Sequence, residues 1–359
     1  MSDRWALPGG NPEPLAQPAP QPAPPPGWGA RPGWGAPNPK PGVIALRPLT
    51  LGDISRAVMT TIRVNPRASI GLAALVSLAV LLPITAASTA VAALVGGAGG
   101  PDEIDVTGTL TTTLPTLGSL LTAGLLAAFM AWVVSQATLG RTVTLGETWT
   151  AVRGRAWAAT AVVLLLTMIQ VVGFGVLAGP GVLLAVNASR AGDNAGLATG
   201  VVLAVLGGLL ALAALLFLAT RWCFATSVLA VERVGIVAAL RRSWRLTAGR
   251  PFWRVLGIRL LTALAVGLVG QVVALPLTVL LGVGGALTAA DDPGRLVVVQ
   301  TVATGLTALL VGALTTPITA GVDALLYLDQ RIRREGLDVA IMHGLQTGQA
   351  EFPPPPAAG

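Results

Sequence analysis

The sequence predicts an all-α membrane protein: a bundle of six transmembrane helices with Pro-rich termini. The first observation is composition, since 53% of the 359 residues are hydrophobic and only 11% are charged. Soluble proteins carry roughly a quarter of charged residues, so there are too few charges here to cover a soluble globule of this size. The second observation is a series of six long uncharged stretches, and the third is the distribution of basic residues between them. Together they argue against a soluble enzyme.

Each uncharged stretch exceeds the roughly 20 residues that cross a ~30 Å hydrocarbon core as a helix. The stretches are 68–101, 106–140, 156–189, 194–220, 260–290 and 296–322. From them we predict spans near 68–95, 117–139, 156–178, 200–220, 255–283 and 297–326. The alternatives are four or five spans, or the buried helices of a large soluble protein. Buried soluble helices rarely come six in a row with so few charges between them.

Basic residues alternate between the two sides of the predicted spans. Twenty of them lie in the segments on one side: 1–67, 140–155, 221–254 and 327–359. The alternate loops hold only Arg190 and Arg295 among them: 96–116, 179–199 and 284–296. Because cytoplasmic loops are enriched in Lys and Arg, we expect a multi-pass protein with both termini in the cytoplasm. Since the charge follows topology, we expect no binding of nucleic acid.

Both termini have a composition that does not support a packed core. Residues 1–42 are dominated by Pro and Gly, and the segment PGWGA at 26–30 recurs at 32–36. We predict that 1–42 is a disordered cytoplasmic tail, and that 346–359 is a smaller tail of the same kind. The two repeated Trp residues leave open a docking role for a protein partner or the bilayer interface. No apolar core of a signal peptide is present, so no cleavable leader is expected.

Two short helices are predicted at the entrances to the first and third spans. Thr50 stands three residues before Asp53, and Thr144 stands three residues before Glu147. This spacing is a capping box, in which the Thr oxygen accepts a helix-start N–H and the carboxylate reaches back to the Thr N–H. After the first box, apolar residues continue at helical spacing while arginines fall on another face. Such a helix lies naturally in the headgroup plane.

A looser third copy begins at Gly235, which with Gly52 and Gly146 gives periods of 94 and 89 residues. We therefore predict that the membrane domain, 43–345, is three repeats of an interfacial amphipathic helix plus a transmembrane hairpin. Linkers with helical propensity are the alternative. The expected contacts with anionic lipid headgroups are the arginines of the first and third units: Arg56, Arg63, Arg67, Arg241, Arg242, Arg245 and Arg250.

Three segments resemble actinobacterial integral membrane proteins that carry the glycerophosphoryl diester phosphodiesterase membrane domain. They are RPLTLGDI at 47–54, LRRSWRLT at 240–247 and LLYLDQRIRREGLD at 325–338. The resemblance covers roughly 43–345 and implies a six-helix bundle, which in some relatives anchors a phosphodiesterase. The catalytic half would need a His-Arg-Gly motif, a second His and metal-binding carboxylates. This chain has a single histidine, His343, so the resemblance implies the membrane domain without the activity.

A few polar residues fall inside predicted spans. Arg259 lies about one turn inside the fifth span, and Asp323 lies about one turn before the end of the sixth span, on the same side of the membrane. This shared depth makes an ion pair plausible, because a lone charge in hydrocarbon costs at least ~2.5 kcal/mol. The alternative is an Arg259 side chain that reaches to the headgroups. Gln170, Gln271 and Gln300 are candidates for a polar path through the membrane, although such amides usually bond between helices.

The sequence favours a non-enzymatic membrane scaffold or accessory subunit in a bacterial inner membrane. No catalytic motif or set of metal ligands is recognisable, so no enzyme activity, cofactor or metal is expected. The expected partners are anionic membrane lipids and a protein that binds the N-terminal tail. A homo-oligomer is compatible with the GxxxG at 175–179. The alternative function is transport or handling of a lipid or small amphiphile.

Overall fold

The computed structural model describes residues 42–44, 46–95, 106–289 and 293–347, and within these ranges the chain is helical and contains no strand. The short helices are α1 (Leu51–Val64), α6 (Ala225–Glu232), α7 (Ile236–Leu246) and α10 (Leu337–Gln346). The long helices are α2 (Leu72–Val95), α3 (Val106–Thr138), α4 (Leu145–Ala191), α5 (Asn194–Arg221), α8 (Pro251–Ala289) and α9 (Pro293–Glu335). The predicted tails lie outside the described residues, apart from 42, 346 and 347.

The predicted fold class is confirmed. Six stretches in the described part of the chain are long and apolar enough to cross a membrane: Arg67–Val91, Leu117–Thr138, Leu145–Ala191, Asn194–Glu232, Pro251–Gly285 and Val298–Glu335. Each overlaps one predicted span, so the protein is multi-pass. The helices α4 and α9, of 47 and 43 residues, are both longer than about 60 Å, twice the hydrocarbon thickness. They therefore extend well beyond the spans expected from the sequence.

Most of the buried core lies at one end of the bundle, where α1, α6 and α7 meet the C-terminal part of α9. Its members include Ile54, Phe129, Phe224 and Leu325. By contrast, most apolar side chains of α5 and α8 are exposed. Exposed apolar surface on long helices is what a lipid environment covers. The bundle is thus densely packed at one end, while α5 and α8 expose apolar surface along most of their length.

The two predicted capping boxes are confirmed at the starts of α1 and α4. The Asp53 N–H donates to Thr50 Oγ1 at 3.2 Å, and the Thr50 N–H donates to Asp53 Oδ2 at 3.0 Å. In the second box, Thr144 N–H and Glu147 Oε2 are 2.8 Å apart. Gly235 makes no side-chain cap at α7, so only two of the three predicted helix starts share this chemistry.

The threefold repeat is not confirmed, because the second unit lacks a separate interfacial helix. In the first unit, Pro66 follows α1 and one turn of π-helix at Arg67–Gly71 precedes α2. In the third, Gly249 has a φ of 74° and Pro251 begins α8. Both devices end a helix, since proline removes a backbone donor and a left-handed glycine turns the chain. No such device separates Glu147 from the predicted span that begins at 156, and α4 continues to Ala191 without a break.

The helices α4 and α5 form a hairpin through glycines that face the partner backbone. A Cβ on Gly200 would overlap the backbone of Ala185, and one on Gly207 would overlap that of Leu177. Gly175 and Gly179 have open space where a Cβ would stand. The GxxxG therefore faces away from α5. The hairpin is closed by other glycines.

Candidate functional site

The arginines expected to contact lipid headgroups divide into six that are exposed and one that is not. The six exposed residues, which we call the arginine face, are Arg56, Arg63, Arg67, Arg241, Arg245 and Arg250. On α1, Ile54 and Val58 are buried while Arg56 and Arg63 point outward. The helix therefore has the amphipathic form predicted for it, with an apolar face on the bundle and a basic face outside.

Two contacts place α1 and α7 against the same stretch of α9. The N–H of Leu49, just before α1, donates to Asp329 Oδ1 at 2.7 Å. Arg242 of α7 contacts Glu335, with 2.7 Å between Nη2 and Oε1. Because both short helices are fixed to the last turns of α9, all the members of the arginine face belong to one end of the bundle. Their positive charge is concentrated there.

Arg242 departs from the expected headgroup role. Its side chain is only 14% exposed, and its Nε and Nη2 donate to Glu232 at 3.0–3.1 Å. The Glu232 carboxylate is 2% exposed and also accepts the Tyr327 hydroxyl at 2.7 Å. Burial alone would lower the pKa of Arg242, but the hydrogen bonds that it donates to both glutamates, together with their negative charge, outweigh burial and raise that pKa. Arg242 thus has a structural role, because its guanidinium pairs with two carboxylates inside the bundle and does not point outward.

Asp329 is the centre of a second ionic cluster at the same end. Its side chain is fully buried, and it pairs with Arg254 and with Arg333, whose Nε lies 3.0 Å from each carboxylate oxygen. The same two arginines donate from Nη2 to the carbonyl of Leu49, at 2.6 and 3.0 Å. The segment before α1 is therefore held across the ends of α8 and α9. The buried carboxylate of Asp329 thus has two arginine partners, which offset the cost of its burial.

Sequence reasoning missed both of these clusters. One signal was present, since Asp329 and Arg333, and Arg331 and Glu335, are acid–arginine pairs four residues apart. That spacing places the two side chains of each pair on one helix face. The contacts from Leu49, Arg242 and Arg254 had no comparable signal, because those residues lie about 75 or more positions away along the chain. Only the folded arrangement brings them to α9.

Arg259 and Asp323 are brought together as an ion pair. Arg259 Nε donates to Asp323 Oδ1 at 3.0 Å, and Nη2 donates to Oδ2 at 3.3 Å. A third donor, Nη1, reaches the carbonyl of Ala219 on α5 at 2.6 Å. The pair therefore connects three helices, α5, α8 and α9. Its side chains remain 28% and 24% exposed.

The exposed side of this pair forms the floor of a crevice of about 160 Å³ between α5, α8 and α9. Apolar residues such as Leu216, Leu256 and Leu260 make its walls. An amphiphile with a small polar group matches such a lining, because the polar floor and apolar walls suit different parts of the molecule.

The predicted polar path does not form at the three amides. Gln271 and Gln300 are exposed on the outer surfaces of α8 and α9, and Gln170 is half-buried on α4. None of the three lines the crevice. They also do not line a second, larger groove of about 620 Å³ between α2 and α9, whose lining is mainly aliphatic. The three amides, which the sequence analysis grouped because they are polar, therefore do not line a common cavity.

The described residues contain no group of three or more His, Cys, Asp and Glu side chains arranged to hold a metal ion. Comparisons with protein-family models, with curated proteins and with solved structures find no match to this chain.

Proposed function

We propose that this protein is a non-enzymatic membrane scaffold or accessory subunit that binds anionic lipid through its arginine face. A protein partner binds its N-terminal tail, 1–42. The observation that carries the proposal is the joint attachment of α1 and α7 to the end of α9. It holds six exposed arginines at one end of a membrane bundle, where each adds roughly 1 kcal/mol of attraction to an anionic surface.

The proposed orientation places this end of the bundle at the cytoplasmic face of a bacterial inner membrane. The support is the excess of basic residues in alternate segments of the sequence. Single-cysteine variants in a Cys223→Ser background, labelled with an impermeant maleimide in intact cells, test it. We expect protection of a cysteine placed at Arg56 and labelling of one placed at Arg190. The reverse pattern would invert the topology.

We also propose membership in the glycerophosphoryl diester phosphodiesterase membrane domain family. The three segments that carry the resemblance converge in space, which supports the proposal. Leu49 contacts Asp329, Arg242 contacts Glu335, and Arg334 donates to the carbonyl of Arg245 at 2.7 Å. The three distant segments therefore belong to one structural unit.

Transport is the weaker alternative. A path for a polar substrate needs polar groups that face an internal cavity near the middle of the membrane. In the described residues, the larger groove between α2 and α9 is lined by side chains such as Leu78, Leu82 and Leu306. The crevice at Arg259 has polar groups but lies at the densely packed end, and neither cavity includes the amides of the spans.

The lipid half of the proposal is tested in nanodiscs of mixed phosphatidylcholine and phosphatidylglycerol. Native mass spectrometry counts the phosphatidylglycerol molecules that leave with the protein. We expect enrichment of phosphatidylglycerol around the wild type, and its loss in a variant with the six exposed arginines changed to Gln. A variant with Arg190 and Arg295 changed to Gln is the matched control. Equal lipid composition around all three proteins would overturn the lipid role.

The partner half is tested by extracting the full chain and a chain lacking 1–42 from the native membrane in polymer discs. A stoichiometric protein that binds only the full chain, and that binds again when both are purified, supports the scaffold. A single bound amphiphile with no protein would put transport first. Because the two chains share the whole membrane domain, the comparison isolates the tail.

A further inference from the structure

Arg221, at the end of α5, lies in a pocket of three aromatic rings. Its Cζ is 5.1 Å from the ring centre of Phe217, 4.8 Å from that of Trp244 and 5.3 Å from that of Phe252. These rings come from α5, α7 and α8. A guanidinium over aromatic faces at such distances is stabilised by cation–π attraction. The arrangement holds the charge in one place.

The backbone of Arg221 is fixed as well. The Ser243 hydroxyl donates to the Arg221 carbonyl at 2.8 Å, and it accepts the Phe224 N–H at 3.2 Å. Both bonds tie the end of α5 to α7. The side chain is therefore positioned by its environment, as the groups of a binding site are.

Two guanidinium atoms of Arg221 are buried without a hydrogen-bond partner. Within the described part of the chain, neither Nε nor Nη1 reaches an acceptor, although solvent barely touches either atom. A buried charged donor without an acceptor costs more than a typical hydrogen bond contributes, and ring faces replace it only in part. The other arginines that face the core, such as Arg242 and Arg259, have carboxylate partners. Arg221 thus has aromatic rings where those arginines have carboxylates.

The position of Arg221 points to the source of an anionic partner. Trp244 and Trp253 are exposed beside it, and exposed Trp residues at the end of a transmembrane bundle are typical of the membrane–water interface. Arg259 lies seven residues further along α8 than Phe252, which is about 10 Å deeper. The Arg221 charge is therefore at the depth of lipid phosphates. Leu216 and Leu256, next to its aromatic rings along α5 and α8, already line the crevice.

We propose that Arg221 binds the phosphate of an anionic glycerophospholipid whose acyl chain occupies the crevice between α5 and α8. The aromatic rings hold the guanidinium, and the phosphate pairs with its charge. The aliphatic walls above Arg221 contact the chain. This inference rests on the proposed lipid role and deepens it, because it adds one specific lipid to the general attraction of the arginine face.

The test separates a specific site from diffuse attraction by salt. Exposed charges are strongly screened at 0.5 M salt, whereas a buried pair is screened much less. Native mass spectrometry of the wild type in detergent with phosphatidylglycerol should show one lipid per chain that stays bound at this salt concentration. Arg221→Gln should lower its occupancy at least tenfold, and Arg245→Gln should leave it unchanged. The variant with six exposed arginines changed to Gln should also keep it.

Free phosphate is distinguished in a second arm. A ligand that binds the folded state raises its unfolding midpoint. We expect phosphatidylglycerol to do so for the wild type, while inorganic phosphate at about 10 mM does not. If inorganic phosphate alone raises the midpoint, the ligand of Arg221 is a soluble anion and the lipid proposal is wrong. No salt-resistant lipid on the wild type would overturn the proposal even if Arg221→Gln failed to fold. Enrichment in nanodiscs without a salt-resistant lipid would overturn this inference but leave the proposed function standing.

Discussion

Arg259 and Asp323 connect α8 to α9 through two parallel hydrogen bonds, 3.0 and 3.3 Å long, inside the membrane-spanning segments. The same guanidinium also donates to the Ala219 carbonyl on α5. Three helices therefore share one charged group. Since most side chains of α5 and α8 are exposed, this group is a main link between α5 and the pair α8 and α9.

The first prediction concerns this pair. Arg259→Asp should destabilise the protein by about 3 kcal/mol, because two like charges then face each other away from water. Arg259→Asp combined with Asp323→Arg should recover part of that loss. Fluorescence-detected size exclusion of the protein from membranes measures both. Equal loss in the single and double variants would show that the pair does not contribute through its charges.

The second prediction uses two neighbouring arginines with opposite surroundings. Arg242→Gln should lower the free energy of unfolding by about 3 kcal/mol, since it leaves the buried carboxylate of Glu232 without its cation. Arg241→Gln should change that free energy by less than about 0.5 kcal/mol, because the side chain is exposed. Thermal unfolding in one detergent compares them. Similar midpoints for the two variants would contradict the inward role of Arg242.

The third prediction compares two adjacent glycines of α5. Gly207→Ala should push α5 away from α4, because its Cβ would overlap the Leu177 carbonyl, at a cost of about 1–3 kcal/mol. Gly208→Ala meets open space and should be neutral or stabilising by up to about 1 kcal/mol. Thermal unfolding again measures the difference. A Gly207→Ala variant as stable as the wild type would mean that α4 and α5 can move apart without a loss of stability.

The fourth prediction is a pH dependence at the start of α1. Hydrogen bonds from the N–H and hydroxyl of Thr50 hold the pKa of Asp53 below its usual 3.8. The stabilisation is therefore complete above that usual value and is lost as the pH falls through the lower, folded pKa. Asp53→Asn should cost about 1 kcal/mol at pH 7. The gap between variant and wild type should close as the pH falls through the lowered pKa of Asp53, as followed by amide exchange in α1. A gap that stays constant in acid would contradict this assignment.

The sequence was most informative where one segment alone sets the outcome. The capping boxes at Thr50 and Thr144 depend on four consecutive residues, and both form as predicted. The six spans follow from apolar length, because the bilayer accepts only helices of that kind. The second interfacial helix was wrong in its boundary. The pattern at Glu147 matched the first unit, but no proline or left-handed glycine separates it from the span.

The candidate site was less predictable, because its partners are far apart along the chain. Arg241 and Arg242 are equivalent in the sequence, yet only Arg242 meets Glu232 and Glu335. Nothing local distinguishes a basic residue that is exposed from one that is neutralised inside. The same limit applied to Arg221, whose three aromatic neighbours come from three helices.

The sequence by itself determined the helical membrane fold, the number of spans and the starts of two helices. These depend on hydrophobic length and on hydrogen bonds between near neighbours. The tertiary structure decided which charges are exposed, which are paired, and which aromatic rings surround Arg221. Those outcomes depend on packing between distant helices, where the cost of burying a charge selects its partner.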